Sequence, residues 1–354
     1  MSATLDELIR EGTEKKASDL HIVDGRAPIL RIDGELIEQE QFAVFSEKAV
    51  ERVLEEILST NNYREKLDHQ GHADLAWSVG DQRLRVNIFS TSGKLAAALR
   101  LIDNRIPNLN ELGLPIAVAN LASSRRGLIL VTGPTGSGKS TTHAAMIAKI
   151  NAERGERIIS VEDPIEYLHK DIKSVISQRE IGSDVPDFST ALTGAMREDP
   201  DVILIGEMRD VATMRIALEA AETGHLVLAT VHAPDAQQSV ERIVNSFGGT
   251  EQAEIRTQLA GSLSAIISQQ LLPAVDGGRR ALACEIMIAN AATRNLIRES
   301  NTHQMRSSIQ TGGAQGMQTM DSDLARLAKA GRISSATAIE SAIDRDSMVK
   351  ELAR

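Results

Sequence analysis

The sequence predicts an α/β fold in two parts: a small mixed domain with an antiparallel sheet, followed by a larger domain built on a parallel sheet. With 354 residues, the chain is long enough for two domains with separate cores. Residues 1–103 combine short helical patterns with strands of alternating polarity, whereas residues 115–354 alternate helices with apolar strands. Residues 104–114, rich in asparagine and interrupted by proline, predict a linker between them.

Amphipathic patterns predict the elements of the first domain. Residues 4–12 and residues 46–58 each place their apolar side chains on one face of a helix. Residues 82–89 alternate strictly between apolar and polar side chains, as a strand with one buried face does. Further strands are predicted at residues 28–37, as a hairpin across Asp33-Gly34, at residues 74–79 and at residues 94–102.

Short, continuous apolar runs predict the second domain, because parallel strands covered on both faces have this composition. The predicted strands are residues 127–132, 157–161, 202–205 and 226–231. They are followed by a hairpin across Asp276-Gly277-Gly278, helices at residues 290–299 and 321–330, and a flexible loop between those helices at residues 311–316. Ligands of such sheets bind at the carboxyl ends of the strands, where the chemical residues of this chain also fall.

A glycine-rich segment after the first of these strands fits the pattern G-x-x-x-x-G-K-[ST], the P-loop for nucleoside triphosphates. A strand, a glycine loop and a helix start gather backbone N–H groups around one point, which is an anion site. Lys139 would reach the β- and γ-phosphates of ATP, and the Ser140 hydroxyl would hold Mg²⁺. The predicted nucleotide-binding residues of this segment are Gly133, Pro134, Thr135, Gly136, Ser137, Gly138, Lys139, Ser140 and Thr141.

Three carboxylates follow the second strand within five residues: Glu162, Asp163 and Glu166. ATP hydrolysis needs a group that orients or deprotonates water and groups that hold Mg²⁺ through its waters, and carboxylates do both. We therefore expect Glu162 and Glu166 to be catalytic. The alternative is a solvated acidic loop.

The third strand ends in Gly206-Glu207 and resembles a Walker B strand, in which an apolar run ends in an acid. Gly206 occupies the strand-end position where Asp is usual. Glu207 must therefore contact Mg²⁺ through water or help to position the nucleophile. His232 follows the fourth strand, where it would sense the γ-phosphate or touch a neighbouring subunit. The alternatives are a surface glutamate and a hydrogen-bonded structural histidine.

Arginines on the strands of the first domain are candidates for contacts with the nucleotide. P-loop enzymes often need an arginine for the charge that develops on the γ-phosphate. Arg85 and Arg100 are the predicted nucleotide-binding arginines, while solvated surface arginines are the alternative for each.

Composition limits the classes of partner. The chain carries 49 acidic and 39 basic side chains, a net charge of −10, which argues against a broad surface for nucleic acid. A single cysteine, Cys284, excludes an internal disulfide framework. No apolar run approaches the roughly 20 residues of a membrane helix, and the N-terminus lacks a signal-peptide pattern. We expect a cytoplasmic protein that reaches a membrane only through a partner.

These motifs, in this order, resemble those of the secretion-type ATPases, most closely the branch that retracts type IV pili. The segments that carry the resemblance are Ala17–His21, Gly133–Thr142, Ile159–His169, Asp201–Asp210, Thr223–His232 and Ala292–Glu299. Three departures are His143, where the family commonly has Leu, Thr193, where Arg is expected in Ala-Leu-Arg, and Thr293, where the C-terminal motif usually has Ile.

The resemblance implies a PAS-like first domain, a RecA-like second domain and a ring of six identical subunits, with ATP bound between the domains. It implies that Glu166 and Glu207 are the catalytic carboxylates. It also implies docking on an inner-membrane platform protein, removal of pilin subunits from the fibre base, and other pilus ATPases as further partners. The protein would thus be cytoplasmic and peripheral at the inner membrane.

Other functions remain open at this stage. The chain could be a weakly hydrolysing accessory retraction ATPase or regulator, which measured turnover would distinguish. It could be a DNA-acting motor, although its acidic balance disfavours this. It could also serve a related secretion or conjugation system, which only its partner would reveal.

Overall fold

In the computed structural model, the residues described are 3–32, 34–59, 63–80, 82–102, 105–277 and 280–353. The chain divides into two compact units. The first consists of Met1–Arg105 with Pro164–Leu168, and the second of Ile106–Asp163 with His169–Arg354. The predicted boundary at Asp103 and Asn104 lies outside the described residues.

The first unit contains one antiparallel sheet with the strand order β3-β2-β1-β6-β5-β4. Its strands are β1 (Asp19–Ile22), β2 (Ile29–Ile32), β3 (Glu35–Glu38), β4 (His72–Val79), β5 (Gln82–Thr91) and β6 (Lys94–Ile102). Its helices are α1 (Leu5–Glu14), α2 (Glu47–Leu58) and α3 (Tyr63–Gln70).

Alternation along β5 sets the two faces of this sheet. Leu84, Val86 and Ile88 are fully buried, in one cluster with the apolar stripes of α1 and α2, while Arg85 between them is exposed. The prediction of a strand with one buried face is confirmed, because a period of two sends alternate side chains to opposite faces.

The second unit is built on a seven-stranded sheet with the order β13-β12-β7-β11-β10-β8-β9, parallel except for β13. Its strands are β7 (Gly127–Thr132), β8 (Arg157–Glu162), β9 (Val175–Glu180), β10 (Val202–Ile205), β11 (Leu226–Val231), β12 (Leu263–Leu272) and β13 (Ala281–Ile288). The predicted strands and the α/β class are confirmed, whereas β9 was not predicted.

Helices cover this sheet and form the C-terminal part of the unit. They are α4 (Ile116–Ala122), α5 (Lys139–Glu153), α6 (Phe188–Ala195), α7 (Val211–Glu222), α8 (Ala236–Asn245), α9 (Gln252–Ser262), α10 (Ala291–Arg298), α11 (Met305–Thr311), α12 (Met320–Lys329), α13 (Ser335–Ser341) and α14 (Arg345–Leu352). No helix in the described part of the chain has both the length and the apolar character that a membrane crossing requires.

Two connecting segments are more structured than their composition suggests. Leu109 and Leu114 of the predicted linker are buried in the core of the second unit, so apolar anchoring holds this stretch. The prediction of a flexible loop at residues 311–316 is wrong. Helix α11 extends to Thr311, and Gly313–Gln315 form a turn of 3-10 helix. Burial of Met317 directly after the segment ties it to the core.

Arg294 on α10 joins α10 to the end of α9. Its guanidinium donates hydrogen bonds to the carbonyl of Ala260, to those of Gly261 at 2.7 Å and Leu263 at 2.8 Å, and to that of Ala289 at 3.1 Å. The last carbonyls of a helix lack partners within the helix and carry a partial negative charge. One arginine therefore satisfies several of them.

We predict that Arg294→Ala lowers the free energy of unfolding by about 2–3 kcal/mol, since these carbonyls lose charged donors. Arg294→Lys should restore less than half of the loss, because an ammonium cannot reproduce the planar fork. Arg298→Ala, an exposed change on the same helix, is the control and should be near neutral. Urea unfolding followed by circular dichroism measures all three. Equal stability of the Arg294 and Arg298 variants would contradict the prediction.

Candidate active site

Four adjacent strands bring the candidate residues to one edge of the parallel sheet. β11 lies between β7 and β10, and β10 pairs in turn with β8. The P-loop follows β7, His232 follows β11, Glu207 lies just beyond β10, and Glu162 ends β8. Since carboxyl ends of parallel strands share one edge, these residues form a row at the place where such sheets bind ligands.

The P-loop has a backbone that only glycine fits at its first position. Gly133 has a φ of 140°, and a Cβ there would lie 2.4 Å from the carbonyl oxygen of Gln269 and 2.6 Å from Ser137 Oγ. Gly138 is the N-cap of α5 with a φ of 91°, in the left-handed region that favours glycine. The curled loop therefore ends on the N-terminus of a 15-residue helix.

The polar groups of the loop suit a phosphate. Lys139 is buried, and its Nζ donates to the carbonyl oxygens of Gly133 at 3.0 Å and Pro134 at 2.9 Å. Ser137 is also buried, and its Oγ makes no hydrogen bond within the described part of the chain. A buried ammonium, a buried hydroxyl and a helix N-terminus match the anionic oxygens of a triphosphate. Ser140, in the first helical turn, adds the kind of oxygen that Mg²⁺ prefers.

A buried polar layer lies beneath the loop. Gln269 of β12 donates from Nε2 to Thr142 Oγ1 at 2.7 Å, and Thr132 Oγ1 donates to Ser268 Oγ at 2.9 Å. His143, which follows Thr142 in the chain, is buried, and burial, followed by the charge of Lys139, lowers the pKa of its imidazole to about 3. The imidazole that replaces the usual Leu is therefore neutral and occupies a core position.

Gly206 explains why the usual Walker B aspartate is missing. A Cβ at this position would lie 3.2 Å from both Glu162 Cα and the Val161 carbonyl oxygen, at the end of the neighbouring strand β8. The Gly206 N–H donates to Val161 O at 2.8 Å, and Thr230 Oγ1 donates to the Gly206 carbonyl. Close packing against the end of β8 leaves little space for a side chain, and the acid stands one residue later.

Glu207 has a cationic or protonatable partner on each carboxylate oxygen. Arg209 Nη2 lies 2.7 Å from Oε2, and His232 Nε2 lies 3.1 Å from Oε1. Burial alone would raise the pKa of Glu207, but the hydrogen bond from Arg209 and the charge of His232 outweigh it, so the pKa lies below its usual value. Glu207 is therefore held as a carboxylate, and His232 is its direct neighbour.

The whole chain, beyond the P-loop, is similar to known proteins. Residues 1–346 match the family described as type II/IV secretion system protein. The chain belongs to this family. It is 42% identical to the type IV pilus retraction ATPase PilT of Pseudomonas aeruginosa, over 96% of this chain and 98% of that protein. It is 44% identical to a twitching motility protein of Neisseria gonorrhoeae, over 91% of this chain and 86% of that protein.

A solved structure agrees with the fold of this type II/IV secretion system protein. The crystal structure of the pilus retraction motor PilT with bound ADP has a TM-score of 0.92 to it at 44% identity. The match covers 99% of this chain and 100% of that chain. The predicted resemblance to the retraction branch of the secretion-type ATPases and the predicted fold class are both confirmed.

The remaining candidates of this secretion system protein are distributed over both units. Glu162 accepts hydrogen bonds at Oε1 from Ser160 Oγ at 2.7 Å and Gln178 Nε2 at 3.2 Å, which hold it against β9. Glu166 is exposed and belongs to Pro164–Leu168, the segment grouped with the first unit. Its catalytic role stays a prediction.

Both candidate arginines lie in the first unit on neighbouring strands. Arg85 of β5 is opposite Arg100 of β6, and Arg100 Nε donates to Asp19 Oδ1 at 3.0 Å. Both are exposed. Their role in nucleotide binding also stays a prediction.

Two residues of the site were missed by sequence reasoning. Arg209 stands two positions after Glu207, a spacing that puts side chains on the same side of an extended chain, so a local signal existed. Gln269 lies in the polar triplet Ser268-Gln269-Gln270 inside a mostly apolar strand. A polar residue in a buried strand needs a partner, and this was the available signal.

The glycines of the loop give a matched test of its geometry. We predict that Gly133→Ala weakens ATP binding by about 100-fold or more. The added methyl group would overpack the loop, and the backbone conformation at this position favours glycine. Gly136→Ala should cost about 10-fold at most, because Gly136 has a φ of 75° but no atom of the described residues lies within 4 Å of the position that a Cβ would take.

Calorimetric titration with ATP measures both variants, with circular dichroism as a control for folding. Equal losses of affinity in the two variants would contradict the close approach of Gln269 to Gly133.

Proposed function

We propose that this chain is an ATP-hydrolysing motor that powers retraction of type IV pili. The observation that carries the proposal is the row of P-loop, His232 and Glu207 at one sheet edge, in a chain that matches pilus-retraction relatives over nearly its whole length. Retraction would proceed by removal of pilin subunits from the base of the fibre.

The P-loop residues would bind the phosphates of ATP. The N–H groups of the loop and of the first turn of α5 would face the anionic oxygens, and Lys139 would exchange its present carbonyl partners for the β- and γ-phosphates. Thr141 lies in the same helical turn. Mg²⁺, when bound, offsets phosphate charge, and Ser140 and, through water, Glu207 would hold it.

The carboxylates would orient the attacking water or accept its proton. Glu207 is ionised and partly buried, which suits a group that orients water or accepts its proton, and His232 would position it. Glu166 is proposed as the second catalytic carboxylate, with Glu162 in support. Arg85 and Arg100 are proposed to meet the charge of the γ-phosphate.

The proposed setting is a ring of six copies in the cytoplasm. The ring would be peripheral at the inner membrane through a pilus platform protein, and other pilus ATPases are proposed as further partners.

The enzymatic part of this proposal is tested with purified protein. Lys139→Ala should lower the turnover of ATP by about 100-fold or more, since a charged phosphate contact is lost. Glu207→Gln and Glu166→Gln should each lower kcat by about 100-fold while leaving ATP binding nearly intact. Lys149→Ala is the matched control, because Lys149 lies on the same helix and pairs with Glu153 away from the loop. Unchanged turnover in the Lys139 variant would contradict the assignment.

The cellular part is tested by gene deletion. We expect hyperpiliated cells without surface motility, restored by the natural gene and not by the Lys139→Ala gene. Normal piliation after deletion would indicate that the enzyme serves another secretion or conjugation system. A ring that binds ATP with no measurable turnover would favour an accessory regulator.

A further inference from the structure

A buried carboxylate that the proposed mechanism does not use joins strand β13 to the start of helix α8 in the second unit. Glu285 lies in β13, opposite Ser268 of β12, and its side chain is buried. Its Oε1 accepts the N–H of Ala236, the first residue of α8, at 3.0 Å. First N–H groups of helices have no partner within the helix, so Glu285 satisfies one of those of α8.

Helix α8 connects this carboxylate to the active-site edge. The chain runs from His232 to Ala236 in four steps, and Asp235 caps the helix by accepting the N–H of Gln238. Arg242, further along α8, donates from Nη1 to the carbonyl oxygen of His232 at 3.0 Å. The position of α8 therefore sets the backbone of His232, whose ring lies 3.1 Å from Glu207.

Helix α12 is fixed to the same strand by an independent set of bonds. Ile286 and Gln318 exchange backbone hydrogen bonds of 2.8 Å and 3.1 Å. Asp323, buried on α12, accepts the N–H of Cys284 at 2.9 Å. Glu285 lies on β13 between these two tethered residues, Cys284 and Ile286, and holds α8 from the same strand. Movement of the C-terminal helices would thus reach α8 through it.

We propose that Glu285 is a positioning residue for ATP hydrolysis, which holds α8 so that His232 keeps its contact with Glu207 and which links the C-terminal helices to that contact. This inference rests on the proposed function of the Glu207 and His232 pair. Among the described residues, the hydrogen bond to the Glu285 carboxylate comes from the start of α8 and not from the predicted phosphate site, so Glu285 should act on turnover and leave ATP binding unchanged.

The test compares Glu285→Ala with Asp323→Ala in the full-length protein. Both changes remove a buried carboxylate that joins a helix to β13 by accepting a backbone N–H, but Glu285 holds α8 whereas Asp323 holds α12. Glu285→Ala should lower kcat by about 10-fold or more with little change in KM, since small misplacements of a catalytic group are costly. Asp323→Ala should leave kcat within about 3-fold of the natural protein. Equal losses of kcat would overturn the proposal.

Hydrogen exchange at α8 supplies a second readout that does not depend on turnover. Backbone amides of residues 232–240 should exchange faster in Glu285→Ala and at the natural rate in Asp323→Ala. Glu285→Gln, which keeps one acceptor oxygen and the volume of the side chain, covers the case in which the alanine variant fails to fold. Across the variants, kcat should fall wherever α8 exchanges faster. A fall in kcat without faster exchange, or faster exchange with a normal kcat, would overturn the proposal.

A double-mutant cycle separates action through His232 from general loosening. In a His232→Ala background, Glu285→Ala should change kcat by less than about 2-fold, because coupled residues have non-additive effects. The same fold loss in both backgrounds would refute the route through His232. Absence of turnover in the natural protein would instead refute the proposed function, and the two failures are therefore distinguishable.

Discussion

Parallel pairing of β8, β10, β11 and β7 is the constraint on which the candidate site depends. Backbone hydrogen bonds fix the register, with Ile205 opposite both Val161 and Ala229, and Val231 opposite Thr132. Each strand therefore ends at a set level relative to its neighbour. Polar side chains that follow the strands emerge at one edge, although they are far apart in the chain. The chemistry of the site follows from the sheet.

Close backbone packing at this edge decides which residues can stand there. At Gly133 the limiting neighbour is the carbonyl of Gln269, and at Gly206 it is the end of β8. The second case accounts for the departure from the usual Walker B pattern. An acid placed two residues beyond the strand end, directly after Gly206, avoids the packed position, and in this place it contacts Arg209 and His232. Steric limits on the backbone thus position the carboxylate.

The sequence predicts those features whose information is local. The P-loop and the four buried strands are continuous patterns, and a period of two predicts the faces of β5. Strand β9 was not predicted because it lies at the sheet edge, where its partly exposed side chains form no apolar run. The contact of Glu285 spans 49 residues and that of Gln269 spans 127. No local pattern indicates such partners. Glu162 and Glu166 are near in the chain yet fall into different compact units, which proximity in sequence could not reveal.

The C-terminal motif on α10 has buried side chains that stabilise the fold and exposed side chains that a partner could contact. Thr293 is buried in place of the usual Ile, and its hydroxyl finds an acceptor in the carbonyl of Asn290 at 3.1 Å, so the polar group is satisfied. Arg294 is committed to backbone carbonyls, and Ile297 is buried. These side chains face inward and fix the helix. Asn295 and the residues after Ile297 are exposed and are the part of the motif that a partner could reach. Loss of function after substitution of an inward residue would therefore reflect a folding defect. Only loss of function after substitution of an outward residue would reflect lost partner binding.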